Sequence, residues 1–201
     1  MSHFFAITPL IQTIGLLGIF CFVFAESGLF FGFFLPGDSL IFSAGLMASA
    51  GYFNVAYLLI GCFIAAVFGD SVGYYFGKKT GHKLFNRPKS LFFSRRNLEK
   101  TIIFFKKHGN KTITLARFVP IVRTFAPIMA GVGEMEYKTF LFWNVLGGAC
   151  WTSLMVLSGY FLGSYVHNID RLILPIIALI VIISVVPILV QFTRKAEEKN
   201  I

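Results

Sequence analysis

Charge is what this sequence has least of. Charged residues make up 13% of its 201 positions, where a soluble protein averages about a quarter. Acids are the scarcer sign, nine against eighteen lysines and arginines. Cysteine is confined to Cys21, Cys62 and Cys150, each inside an apolar run and none in a C-x-x-C pair. That pattern excludes a disulfide scaffold and offers no thiolate metal motif. The four histidines, His3, His82, His108 and His167, are scattered through polar connections, so no metal or cofactor is expected. Hydrophobic residues fill the remainder: 56% of the chain, with 25 Phe and a mean hydropathy of +0.76. A soluble fold of this length cannot hide so much apolar surface. An ordinary cytosolic enzyme and a disordered chain are both excluded. An all-α integral membrane protein, a single membrane domain over residues 1–201, remains.

The net charge of +9 points the other way, toward nucleic acid. Its placement decides. Eleven of the eighteen basic residues lie between Lys78 and Lys111, with Glu99 the lone acid among them. Such a stretch between apolar segments is a cytoplasmic loop obeying the positive-inside rule. No nucleic-acid partner is expected. Within the loop, Leu98, Ile102 and Phe105 share one face at helical spacing, with basic residues elsewhere. An amphipathic helix on an anionic leaflet and a solvated helix packed on the protein both fit.

A membrane helix needs about 20 apolar residues. Residues 4–25, 53–76, 140–163 and 172–193 meet that demand, and a basic tail follows at 194–201. Two further segments are interrupted. Residues 28–48 are broken by Pro36-Gly37-Asp38, and residues 112–132 by Pro120 and Pro127, with Arg117 and Arg123 inside. Each is a kinked span or a re-entrant hairpin. If residues 112–132 cross fully, the basic tail ends outside. If they re-enter, the tail ends inside with the other positive charges and the positive-inside rule holds throughout. With residues 28–48 re-entrant as well, where the nearly uncharged N-terminus gives a weaker test, both termini are cytoplasmic.

An internal repeat favours hairpins. Ala44-Gly45 is followed, 28 residues after Gly45, by Gly73-Tyr74-x-x-Gly77. Ala130-Gly131 is followed, 28 residues after Gly131, by Gly159-Tyr160-x-x-Gly163. Gly61 and Gly147 share an offset, and Phe34-Leu35-Pro36 resembles Phe118-Val119-Pro120. A hairpin followed by a span, repeated, places the two hairpins on opposite faces as an inverted repeat. The expected fold is four transmembrane helices plus two opposed re-entrant hairpins, and paired interrupted segments of that kind point to a transport site.

A charge at the centre of a membrane helix costs roughly 2.5–3.5 kcal/mol on insertion scales, so it faces the protein interior and has a partner. Glu26, Asp38, Asp70, Arg117 and Arg123 are the candidates. Pro36-Gly37-Asp38-Ser39 reads as a helix break with a new cap at Asp38 or Ser39. Asp38 is then a structural cap, a proton acceptor or substrate contact, or both. Arg117 and Arg123 bracket Pro120. Their planar forks suit a phosphate or a carboxylate, and a helix start there adds N–H groups for an anion. They are either bridges to Glu26 and Asp38, or ligands of an anionic headgroup that exchange partners as it moves. Asp70 lies about two turns from the cytoplasmic end of its span, among Gly69, Gly73 and Gly77. Asn144 and Trp151 read as packing or interfacial residues.

Glu26-Ser27-Gly28, Phe34-Leu35-Pro36-Gly37-Asp38-Ser39, Gly69-Asp70-x-x-Gly73-Tyr74 and the run Ala116-Arg117-Phe118-Val119-Pro120-Ile121-Val122-Arg123-Thr124-Phe125-Ala126-Pro127 resemble the DedA family. That family is related to the eukaryotic SNARE-associated Golgi, or VTT, group. The resemblance implies a bacterial inner-membrane protein with two opposed re-entrant hairpins. It also implies lipid translocation dependent on proton-motive force, with undecaprenyl phosphate as a proposed substrate in part of the family. By motif, the family's required acids fall on Glu26 and Asp38 and its required arginines on Arg117 and Arg123.

The expectation is therefore a flippase for an anionic lipid carrier, with lipids and protons as partners and no catalytic residue. Arg117, Arg123, Glu26 and Asp38 form its site, with Asp70, Ser39, Pro36, Gly37 and Pro120 in support. A proton-coupled exporter of small cations or drugs, using Glu26, Asp38 and Asp70, is a second reading. A non-transporting envelope-assembly factor is a third. An intramembrane phosphatase fits less well, because no His or Ser nucleophile is placed with the arginines.

Overall fold

A computed structural model of the chain describes residues 2–28, 37–85, 109 and 111–165. They form six helices: α1 (Ser2–Gly28), α2 (Gly37–Ser49), α3 (Val55–Phe85), α4 (Thr112–Ala116), α5 (Pro120–Val132) and α6 (Tyr137–Tyr165). No strand occurs among the described residues. The amphipathic helix expected around 98–105, the span at 172–193, the tail at 194–201 and Pro36 lie outside them.

Helix length separates two kinds of element. At 1.5 Å per residue, the 27, 31 and 29 residues of α1, α3 and α6 run about 40–46 Å, beyond a hydrocarbon core of about 30 Å. Within α3, Val55–Thr80, and all of α6, are apolar enough to cross a membrane. The 13 residues of α2 and of α5 reach only about 20 Å, short of a full crossing.

The surface is apolar where a soluble protein's is polar. Tyr57, Ile60, Ile64, Phe68, Val72 and Tyr75 recur at three- and four-residue steps along α3, and all are exposed. Phe142, Leu146, Leu154, Phe161 and Leu162 are exposed on α6. The buried set includes Glu26, Asp70, Arg117, Asn144 and Thr152. Exposed apolar stripes of this length and a charged interior fit a protein solvated by lipid.

The described residues divide into two compact units. The first holds 2–19, 37–60 and 153–165. Its α2 ends on Ala50-Gly51, where Gly51 takes φ +82° and its N–H bonds the Ala48 carbonyl at 3.1 Å. That left-handed step suits glycine. Asn54 then caps α3, its Oδ1 accepting from the Ala56 N–H at 2.9 Å. Here α2 packs on the C-terminal half of α6 with no room for a side chain: a Cβ on Gly45 would strike the Val156 carbonyl, and one on Gly159 the Phe42 carbonyl.

The second unit holds 20–28, 61–85, 109 and 111–152. In it α5 packs on α3 by the same device. A Cβ on Gly131 would strike the Tyr74 carbonyl, and one on Gly77 the Ile128 carbonyl. Tyr74, Ile113, Ala130 and Phe140 form a buried cluster, with Tyr74 stacked on Phe140 at 4.7 Å between ring centres. Tyr74 also donates its hydroxyl hydrogen to the Met135 carbonyl. The repeat seen in the sequence thus has a physical purpose, and it is reciprocal. The Ala-Gly helix of each repeat lies against the Gly-Tyr-x-x-Gly helix of the other.

Two expectations change, those on Pro127 and on the Asp38 or Ser39 cap, and α3 runs past its apolar part. Pro127 lies inside α5 and does not break it; the break is at Arg117–Val119 alone, where Val119 is extended. Lys78 and Lys79 do not end α3, which continues to Phe85. Asp70 is ten residues before Thr80, the end of the apolar part of α3, about 15 Å along the axis. Asp38 and Ser39 fall in the first turn of α2, not at its cap, because the helix already starts at Gly37.

Candidate functional site

The second unit contains two buried ion pairs on one cavity. Arg117 stands at the C-terminal cap of α4, where the chain leaves the helix. Its Nη2 donates to Asp70 Oδ2 of α3, and the two side chains are each only 6% exposed. The same Nη2 donates to Asn144 Oδ1 of α6 at 2.6 Å. Asn144 is fully buried, and its Nδ2 donates to the Val67 carbonyl at 3.1 Å. That second bond fixes which end of the amide faces the arginine. Arg117 Nε is buried without a hydrogen-bond partner.

Two contacts bring Arg117 there. Thr114 Oγ1 donates to the Trp143 carbonyl at 2.8 Å and ties α4 to α6. Gly147 leaves space beside α4: a Cβ there would come within 3.0 Å of Thr114 Cα and 3.1 Å of Arg117 Cδ.

Arg123 belongs to the first turns of α5, which begins at Pro120. A proline in the first turn forfeits only an N–H that has no helical partner anyway. Arg123 Nη2 donates to Glu26 Oε1 near the end of α1, with Glu26 3% exposed. Its guanidinium carbon lies 5.0 Å from the centre of the Trp151 ring, within cation–π range. Two positive and two negative groups therefore sit in a buried quartet of zero formal charge.

Ser27, Asp70, Arg117, Arg123, Thr124 and Trp151 line a cavity of about 10 Å³, room for about one water. In this state each arginine holds a carboxylate and no space is left for a headgroup.

The placement of the candidates is uneven. Glu26, Asp70, Arg117 and Arg123 are brought together. Asp70, read as secondary, is the partner of Arg117, and Glu26 is the partner of Arg123. Asp38 and Ser39, half-buried, and Gly37, buried, belong to the first unit. Pro120 begins α5. Asn144, Trp151, Thr124 and Ser27 were not singled out for this site. A lone asparagine in an otherwise apolar helix is the one signal that marks Asn144. Ser27 puts a serine hydroxyl on the arginines' cavity, where the sequence placed no His or Ser with them, and Thr124 adds a second hydroxyl. No group of three or more histidines, cysteines and acids among the described residues could hold a metal.

Long apolar helices with exposed apolar stripes, closed over a buried quartet of charge, define a helical membrane protein. The VTT domain model matches residues 35–161. Protein DedA of Escherichia coli K12 is 46% identical over 178 residues, 88% of this chain and 81% of that protein. An uncharacterized membrane protein of Mycobacterium tuberculosis H37Rv is 42% identical over 181 residues, 88% of this chain and 78% of the relative. The inner membrane protein YqjA of E. coli K12 is 29% identical over 145 residues, 72% of this chain and 66% of the relative. No solved structure matches. The chain belongs to the DedA family of VTT-domain membrane proteins.

Proposed function

We propose that this chain is a multi-pass carrier of the bacterial inner membrane that moves an anionic lipid across it. Undecaprenyl phosphate, the substrate that the family resemblance implies, is the first choice. The carrying observation is the pair of buried arginines flanking one helix break, both on one cavity and each neutralised by its own carboxylate. Each arginine holds its carboxylate through Nη2, and a guanidinium can exchange a carboxylate for phosphate oxygens and bind them in bidentate geometry. The start of α5 adds backbone N–H groups of favourable polarity. The cavity holds about one water, so a headgroup enters only as the ion pairs open. Protonation of Glu26 or Asp70 would release its arginine, and a pH gradient enters the cycle at that step. The name of YqjA as an inner membrane protein supports the location. The short α2 and α5 support re-entrant hairpins within four membrane-crossing helices, with both termini cytoplasmic.

The reading is of a carrier and not an enzyme. A serine or threonine hydroxyl needs an adjacent base to become a nucleophile. Ser27 and Thr124 share their cavity with two arginines, an aspartate already bound to one of them, and a tryptophan.

The test is transport of labelled undecaprenyl phosphate in proteoliposomes, with and without a pH gradient. The full chain moves the lipid faster under a gradient, and Arg123→Ala abolishes movement while remaining folded. Normal lipid movement by Arg123→Ala would sink the proposed role. Proton-driven uptake of a soluble cation without lipid movement would replace it with the exporter reading. Complementation of a deletion by a variant lacking both arginines would replace it with the assembly-factor reading.

A further inference from the structure

An apolar groove of about 550 Å³ runs along the seam between α1 and α3 in the second unit, a volume typical of ligand pockets. Phe20, Cys21 and Phe24 form one wall, and Gly61, Ile64 and Phe68 the other. Ile64 and Phe68 are among the exposed residues of the α3 stripe, so the groove opens toward the lipid side.

The two ends of the groove differ. At one end the Phe20 ring lies across Gly61, where a Cβ would collide with it. At the other end α1 and α3 meet backbone to backbone. A Cβ on Gly28 would lie 3.0 Å from the Gly69 carbonyl, and one on Gly69 would lie 2.8 Å from the Phe24 carbonyl. Beyond that contact stands the charged cavity. Its Ser27 is one turn past Phe24 on α1, and its Asp70 two residues past Phe68 on α3. One seam therefore carries an apolar trough and, past a glycine constriction, two arginines.

We infer that this groove is the seat of a hydrocarbon chain, and that its occupant is the tail of the same long-chain phosphate monoester whose head the arginines take. The inference rests on the headgroup reading above and adds where the tail goes. A cationic cavity on the same seam, just across the Gly28–Gly69 contact, selects an anionic amphiphile over a neutral one. The small residues at Gly28 and Gly69 are what allows head and tail sites to lie so close. Selectivity then has two parts: phosphate chemistry at the arginines and chain length along α1–α3.

Cys21 makes occupancy measurable. It is exposed in the groove, Cys62 is buried, and Cys150 on α6 is exposed. In full-length protein carrying Cys150→Ser, in phosphatidylcholine nanodiscs, alkylation of Cys21 by a membrane-permeant maleimide is timed. The additives are dodecyl phosphate, dodecanol and inorganic phosphate, and binding of the two phosphates is followed separately with radiolabel. Dodecyl phosphate at ten times its dissociation constant slows alkylation about tenfold. Dodecanol and inorganic phosphate at the same concentration do not. Ile64→Trp, on the open side of the groove, weakens dodecyl phosphate binding and leaves inorganic phosphate binding unchanged. Equal protection by dodecanol would overturn the inference, because the groove would then hold any hydrocarbon. Dodecyl phosphate bound without protecting Cys21 would also overturn it, while leaving the headgroup reading standing. Binding of neither phosphate would bring down both.

Discussion

At the scale of single residues, burial sets the stakes of each ion pair. Asp70→Ala leaves Arg117 charged, 6% exposed, and held among the described residues by Asn144. Stranding one partner of a buried pair costs about 3–5 kcal/mol, whereas replacing both by apolar residues is often close to neutral. Asp70→Ala is therefore strongly destabilised, and Asp70→Ala with Arg117→Leu regains most of the loss. Thermal denaturation of the single and double variants in detergent reads the coupling directly. Additive losses would mean that the pair does not form in the folded protein. Trp151→Leu removes the ring from Arg123 and lowers stability by about 1–2 kcal/mol, while Trp151→Phe keeps much of the contact. The same denaturation series measures it. The charged residues themselves were legible in the sequence, because each interrupts an apolar run. Their pairing was not. Asp70 and Arg117 are 47 positions apart, and Glu26 and Arg123 are 97 apart. Spacing says which residues need partners and leaves the partner to the packing of helices. Trp151 was missed for a related reason: a membrane-helix tryptophan looks interfacial until an arginine is found beside its ring.

At the scale of elements, glycine decides which helices touch. The matched Ala-Gly and Gly-Tyr-x-x-Gly spacings were legible as a repeat, and they are the points of closest approach in the fold. Their partners were not, since matched spacing says that the repeats are alike and not which helices touch. Gly131→Val drives a side chain into the Tyr74 carbonyl, and Gly45→Val does the same at Val156. Overpacking costs typically 1–3 kcal/mol where side chains can shift, and backbone shifts less readily. Both variants lose folded protein on mild heating, by fluorescence-detected size exclusion. Gly18→Val is the control, because a Cβ there meets nothing within 4 Å. A Gly131→Val variant as stable as Gly18→Val would contradict the α3–α5 contact. The proline readings split for an equally local reason. Pro120 opens a helix after an extended residue, while Pro127 sits eight residues into the same helix and is absorbed. A proline breaks a helix where the preceding residue also leaves it, and the sequence shows only the proline.

At the scale of the whole molecule, helix length turns into topology. The break at Arg117–Val119 divides residues 112–132 into five residues of α4 and thirteen of α5. The longer piece reaches about 20 Å, against about 30 Å of hydrocarbon. A hairpin returns the chain to the face it came from, and a crossing does not. On the proposed topology, the positive-inside rule puts the basic stretch between Lys78 and Lys111 on the cytoplasmic face, and α6, which spans Tyr137–Tyr165, leads away from it. On that topology, the further crossing that the sequence leads one to expect at residues 172–193 would bring Arg194, Lys195 and Lys199 back to the cytoplasm. Green fluorescent protein fused after Ile201 therefore fluoresces, and alkaline phosphatase fused there is inactive. Phosphatase fused after His167 is active, because α6 has just crossed. The reverse pattern at both fusions would make residues 112–132 a full crossing, and the two interrupted segments would no longer be opposed hairpins. The arginines are what ties this topology to the transport reading. On the proposed topology the hairpin tip ends inside the membrane, and Arg117 and Arg123 flank the break that forms it.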